Sequence, residues 1–127
     1  MKKNIIFTKK APEPVGPYSQ AVQTDGYLFC SGQIAIDPKS GQIIQGSVAD
    51  QTRMVLTNLK AVIEGAGSSL DKVVKVTVFL KNMSDFTIMN GVYAEFFQAA
   101  TAPARSTVEV ARLPKDALVE IEAVALA

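Results

Sequence analysis

Val73-Val74-Lys75-Val76-Thr77-Val78-Phe79-Leu80 reads as a strand, rich in β-branched side chains and bounded by Asp71-Lys72 and Lys81-Asn82. What flanks it sets the fold class. Before it, Val48, Thr52, Val55, Leu59, Val62 and Ala66 recur at helical spacing, and Leu56 and Ile63 widen the stripe. Ser47 with Asp50 predicts a capping box at the start of this helix, near Val48, and Gly65 and Gly67 a left-handed stop after Glu64. After the strand, Phe86, Met89, Tyr93 and Phe96 mark one face of a second helix, with Ser84 as its expected N-cap. Gly91 lies mid-helix, where glycine costs about 1 kcal/mol relative to alanine, so a packing or site reason is expected for it.

Working outward, Gly26 to Ile36 reads as a strand with a bulge or close approach at Gly32. Asp37-Pro38-Lys39-Ser40-Gly41 is a turn, and a short strand over Gln42 to Gln45 is expected to close a hairpin. Ile5-Ile6-Phe7 and Ala21-Val22 suit edge strands. Ala104 to Ala111 and Leu118 to Ala125 are two further strands, joined through Pro114-Lys115-Asp116. Strands, helix, strand, helix and two strands make an α+β chain, one unit over residues 1–127, with both helices on one face of a mixed sheet.

Alternation places Arg105, Thr107 and Glu109 on one side of their strand, and Glu120, Glu122 and Val124 on one side of theirs. Read together, these form a single face left uncovered by the helices. It is charged but carries Thr107 and Val124, which suits self-association as well as solvent.

Composition removes several classes of function. Apolar residues make up 48% of the chain and charged residues 20%, the profile of a globular protein. Thirteen basic against twelve acidic residues leave a net charge of +1, with no basic run to drive nucleic-acid binding. No apolar run reaches membrane-spanning length, and the opening residues lack the apolar stretch of a signal peptide. The lone cysteine, Cys30, fits a cytoplasmic setting. No histidine is present, which excludes serine–histidine triads, cysteine–histidine pairs and histidine-ligated zinc.

The remaining candidates each have a functional and a plain structural reading. Arg105 can fork a carboxylate or pair with a strand glutamate. Glu120 can activate water, if its surroundings set its protonation, or simply face solvent. Tyr18, in the turn Gly16-Pro17-Tyr18-Ser19-Gln20, can line a pocket or cap the sheet. Ser31-Gly32 can present a backbone amide or be a bulge, and Asn90 can be a site residue or a polar residue on a helix surface. Cys30 alternates inward, as a small buried hydrophobe.

The run from Pro103 to Ala123, PARSTVEVARLPKDALVEIEA, closely resembles the signature of the RidA/YjgF family, also called the endoribonuclease L-PSP family. Gly16-Pro17-Tyr18-Ser19-Gln20, Ser31-Gly32-Gln33-Ile34 and Asn90 to Phe97 match its other motifs in order. The resemblance implies a chorismate-mutase-like fold and a homotrimer with a central β-barrel and clefts between subunits. It implies hydrolysis of 2-iminobutanoate and 2-iminopropanoate, released by pyridoxal-phosphate-dependent dehydratases, to 2-keto acids and ammonia. By this likeness Arg105 clamps the substrate carboxylate and Glu120 polarises water, while Tyr18, Ser31, Gly32, Asn90 and Thr107 line the cleft. The family often has cysteine where this chain has Thr107, which weakens any thiol-dependent role. An iminium carbon is already electrophilic, so no metal or cofactor is expected. RNA cleavage, suggested by the family's older name, and a non-catalytic ligand-binding or chaperone-like trimer are the alternatives. The near-neutral charge and missing histidine count against the first, and the presence of both Arg105 and Glu120 against the second.

Overall fold

A computed structural model describes residues 2–127. Six strands form one sheet in the order β1-β2-β3-β6-β4-β5: β1 Asn4–Ile6, β2 Ala21–Thr24, β3 Tyr27–Gln33, β4 Val73–Leu80, β5 Ala104–Glu109 and β6 Val119–Leu126. Only β4 and β5 run parallel; every other neighbouring pair is antiparallel. Two helices, α1 Val48–Gly65 and α2 Phe86–Phe96, pack together on one face of this mixed sheet, as the order of elements predicts.

The core lies between helices and sheet. Val55, Leu56, Leu59, Val62 and Ile63 of α1 meet Leu28, Val76, Val78, Leu80, Ile121 and Ala125 of the strands, and all eleven are fully buried. The helix begins where expected: Ser47 Oγ accepts from the Asp50 N–H at 3.2 Å while the Asp50 carboxylate accepts from the Ser47 N–H at 3.4 Å. Gly67 takes φ of +83° just beyond the helix end. No helix among the described residues is long and apolar enough to cross a membrane.

Several expectations change. Ser84 does not cap α2; it lies in a short 3-10 turn, Met83–Asp85, that runs into the helix. Gln42 to Gln45 forms no strand, and the hairpin reduces to a single bridge between Ile36 and Ile43. Strict alternation would put Val74 on one face of β4 with Val76, Val78 and Leu80; an irregularity between Val73 and Lys75 instead buries Val73 and exposes Val74. Gly91 has open space where a side chain would stand, so no packing reason holds it as glycine.

The largest correction concerns the uncovered face. In the parallel pair, Val76 aligns with Arg105 and Val78 with Thr107, so Arg105 and Thr107 share the helix-covered side with those buried valines. In the antiparallel pair, Phe79 aligns with Glu120 and Thr77 with Glu122, on the opposite, open side. The two charged sets therefore sit on opposite faces of the sheet. Alternation within each strand was correct; its phase between strands came from pairing, which alternation does not encode. The open face instead carries Tyr27, Phe29, Val108 and Leu126, each 41–47% exposed.

Candidate functional site

Two sets of the expected residues are brought together, at two different places. The first surrounds Glu120. Strand β3 shifts register between Cys30 and Gln33, and Gly32 sits in that irregularity. A Cβ built on Gly32 would stand 2.1 Å from Glu120 Oε2 and 2.9 Å from its carboxyl carbon. Only glycine lets this carboxylate lie against the β3 backbone. Burial raises the Glu120 pKa above its ordinary value, and the like charge of Glu122 adds to the shift.

Around this carboxylate lies a cleft of about 490 Å³, lined by Tyr18, Ser31, Gly32, Ile34, Pro114 and Lys115 among others. Ser31 does not offer its own polar groups to the cleft. Its N–H donates to the Gln20 carbonyl at 3.0 Å and its hydroxyl to the Ser19 carbonyl at 2.6 Å. Those bonds fasten the turn that carries Tyr18, whose ring is half exposed and whose hydroxyl accepts from the Val15 N–H at 3.4 Å. Gln20, fully buried, secures the other side: its amide donates to the Pro12 carbonyl at 2.9 Å and its carbonyl accepts from the Thr8 N–H at 2.7 Å. The 114–116 turn completes the wall with Lys115 and Asp116 both at positive φ, near +55°. Such backbone costs about 1 kcal/mol or more per residue, and the Arg112–Asp116 ion pair at 2.7 Å braces it.

The second set surrounds Arg105, on edge strand β5 under α2. Its Nη1 donates to Asn90 Oδ1 at 2.8 Å, and its Cζ stands 4.6 Å from the Tyr93 ring centroid and 5.6 Å from that of Phe86. Phe86, Asn90 and Tyr93 fall at helical spacing on one face of α2, so a single stripe grips one guanidinium. Asn90, which the resemblance implies as a lining residue of the cleft, is bonded to Arg105. One donor of the planar fork is engaged and the others remain for a carboxylate. Thr107, two residues on and on the same side, has a buried hydroxyl with no hydrogen-bond partner.

Glu120 and Arg105 are separated by β4 as well as by the thickness of the sheet. Tyr93, Gln20 and Lys115 were not singled out from sequence. Tyr93 had a signal, since it follows Asn90 at helical spacing; the other two are placed by loop geometry that no periodicity records.

Comparisons with known proteins show the family and the fold. Residues 8–127 match the family model described as Endoribonuclease L-PSP. A RutC family protein of Pyrococcus horikoshii is 59% identical over 123 residues, 97% of each chain. A Dermatophagoides farinae protein named 2-iminobutanoate/2-iminopropanoate deaminase is 48% identical, over 96% of this chain and 94% of its own. The crystal structure of E. coli TdcF with bound serine superposes with a TM-score of 0.91 at 45% identity, covering 98% of each chain.

Proposed function

Because this chain belongs to the endoribonuclease L-PSP family, whose RutC and Rid members it matches over nearly its full length, we propose that it hydrolyses small 2-imino acids to 2-keto acids and ammonia. The observation that carries the reading is the pair of half-sites. One holds a guanidinium with free donors, the other a partly buried carboxylate at the wall of a cleft.

The chemistry asks little of the protein. Arg105 takes the substrate carboxylate in a bidentate pair, which fixes both charge and orientation. Glu120 accepts a proton from water as its oxygen attacks the iminium carbon. Glu120 then returns that proton to the adduct's nitrogen, and ammonia leaves as the C–N bond breaks, the C=O forms and the hydroxyl proton passes to solvent. Pairing burial with a neighbouring charge moves the Glu120 pKa upward, toward the range where a carboxylate exchanges protons efficiently. Tyr18 and the Gly32 backbone line the approach of the imine. Sulfur, metal and cofactor have no part in these steps.

Arg105 and Glu120 cannot serve one substrate from within one chain, since they leave the sheet in opposite directions. In this reading the site is completed between copies, in a homotrimer whose open sheet faces, with Tyr27, Phe29 and Leu126, turn inward as a barrel. Likeness to a deaminase-named protein and to one crystallised with an amino acid supports the substrate class.

The test is a coupled assay. A threonine dehydratase generates 2-iminobutanoate, and keto-acid release is followed with wild type or Arg105→Ala present. Wild type should speed release and Arg105→Ala should leave the uncatalysed rate. No acceleration by wild type above background would reject the function, and equal acceleration by both proteins would reject the role of Arg105.

A further inference from the structure

Tyr93 reads from sequence as one more apolar position of α2. In the fold it is 7% exposed and packs against Phe97, the ring centroids 4.7 Å apart and the planes tilted by 33°, so it is a fixed platform. Its other neighbour is the Arg105 guanidinium, over the ring at 4.6 Å from the centroid. Its hydroxyl is buried and has no hydrogen-bond partner. Burial raises the phenol's pKa, and the Arg105 guanidinium opposes that rise through its charge and its approach to the hydroxyl, an approach that falls short of hydrogen-bond geometry.

A phenylalanine would keep the platform without stranding a hydroxyl, and a buried unpaired hydroxyl costs folding stability. We propose that Tyr93 is a positioning and binding residue of the site: its ring holds the Arg105 guanidinium in plane, and its hydroxyl donates to the carboxylate that Arg105 receives. The inference rests on the deaminase reading for the identity of that carboxylate, not for the grip on Arg105. The guanidinium lies over the ring and acts on its hydroxyl as well, so in this proposal an anion held by the fork meets that hydroxyl. Thr107, the other buried unpartnered hydroxyl beside Arg105 in β5, lies on the same side of the sheet. The α2 stripe then has divided tasks: Asn90 occupies one N–H of the fork, and Tyr93 sets its plane and adds a donor.

Two variants separate the tasks. Tyr93→Phe keeps the ring and should melt at or above the wild-type temperature, yet bind 2-ketobutyrate about tenfold more weakly, because a hydrogen bond to a charged group is lost. KM should rise more than kcat falls. Tyr93→Leu also loses the platform, and kcat/KM should fall about a hundredfold through misplacement of the fork. A merely structural tyrosine would show the opposite pairing, lowered stability with unchanged ligand affinity. In parallel, the Arg105 Nε–H resonance of the ligand-free protein, assigned through Arg105→Lys, is followed by NMR. It should be ordered in wild type and Tyr93→Phe, and motionally averaged in Tyr93→Leu.

Wild-type affinity in Tyr93→Phe would overturn the hydroxyl's part. An Arg105 signal equally mobile in wild type and Tyr93→Leu would overturn the ring's part while leaving the deaminase reading intact. Should wild type neither bind 2-ketobutyrate nor turn over the imine, the deaminase reading and the hydroxyl's part fail together, and the ligand-free spectra still decide the ring's.

Discussion

Gly32 and Glu120 occupy space that only one of them can fill: any Cβ at position 32 would stand 2.1 Å from Glu120 Oε2. The carboxylate is therefore located by the absence of a side chain on the neighbouring strand, as much as by its own rotamer.

Gly32→Ala should displace Glu120 without unfolding the protein. The flexible carboxylate can swing aside, and the irregular backbone between Cys30 and Gln33 already departs from regular pairing. A displacement of about 1 Å costs on the order of a hundredfold in kcat/KM, with substrate binding through Arg105 largely kept. Steady-state kinetics of a variant with wild-type circular dichroism check this, and unchanged kcat/KM would mean that Glu120 needs no such support.

The raised pKa of Glu120 makes a signed prediction about pH. The carboxylate must be ionised to take a proton from water, so kcat/KM should fall on the acid side through a pKa above the ordinary carboxylate value. Glu122→Gln removes the like charge and should move that limb to lower pH. Stability follows the same linkage. A carboxyl held at a raised pKa in the folded state is a liability once it ionises, so the folded protein loses relative stability as pH rises from the unfolded pKa to the folded one. Glu120→Gln should therefore gain stability relative to wild type at neutral pH and lose that gain in acid. Thermal melts at the two pH values read the difference, and a Glu120→Gln protein destabilised at neutral pH would contradict it.

Cys30 makes the converse case. It lies in the core, and burial pushes its thiol up to about 12, so it stays protonated and shielded at neutral pH. Iodoacetamide should leave the native protein unlabelled by mass spectrometry and its turnover unchanged, and Thr107→Cys should keep activity near wild type. Loss of turnover in a folded Cys30→Ser protein would bring a thiol back into the mechanism.

Much of this molecule was legible in its residues. The bounds of β4, the Ser47–Asp50 capping box and the apolar stripe of α1 follow from local chemistry, which is why they hold in the fold. The motifs also named Arg105, Asn90, Glu120 and Gly32, and the fold gathers these in two clusters. What could not be read was how strands pair. Nothing in the alternation of Ala104 to Glu109 says that Arg105 aligns with Val76, and that one register sends it under α2 and away from Glu120. Lys115 and Asp116 at positive φ were equally hidden, because neither residue type announces that conformation. Gly91 remains unexplained by its surroundings.

The central claim, imine hydrolysis at a site to which one copy gives Arg105 and another Glu120, is tested most directly by mixing two inactive proteins. Arg105→Ala and Glu120→Gln are unfolded together in equal amounts and refolded, and the coupled imine assay is run on the mixture. With random assembly into closed rings, about a quarter of the clefts should combine an intact Arg105 with an intact Glu120 from a neighbour, restoring about a quarter of wild-type turnover. A mixture as inactive as its two components would contradict the account.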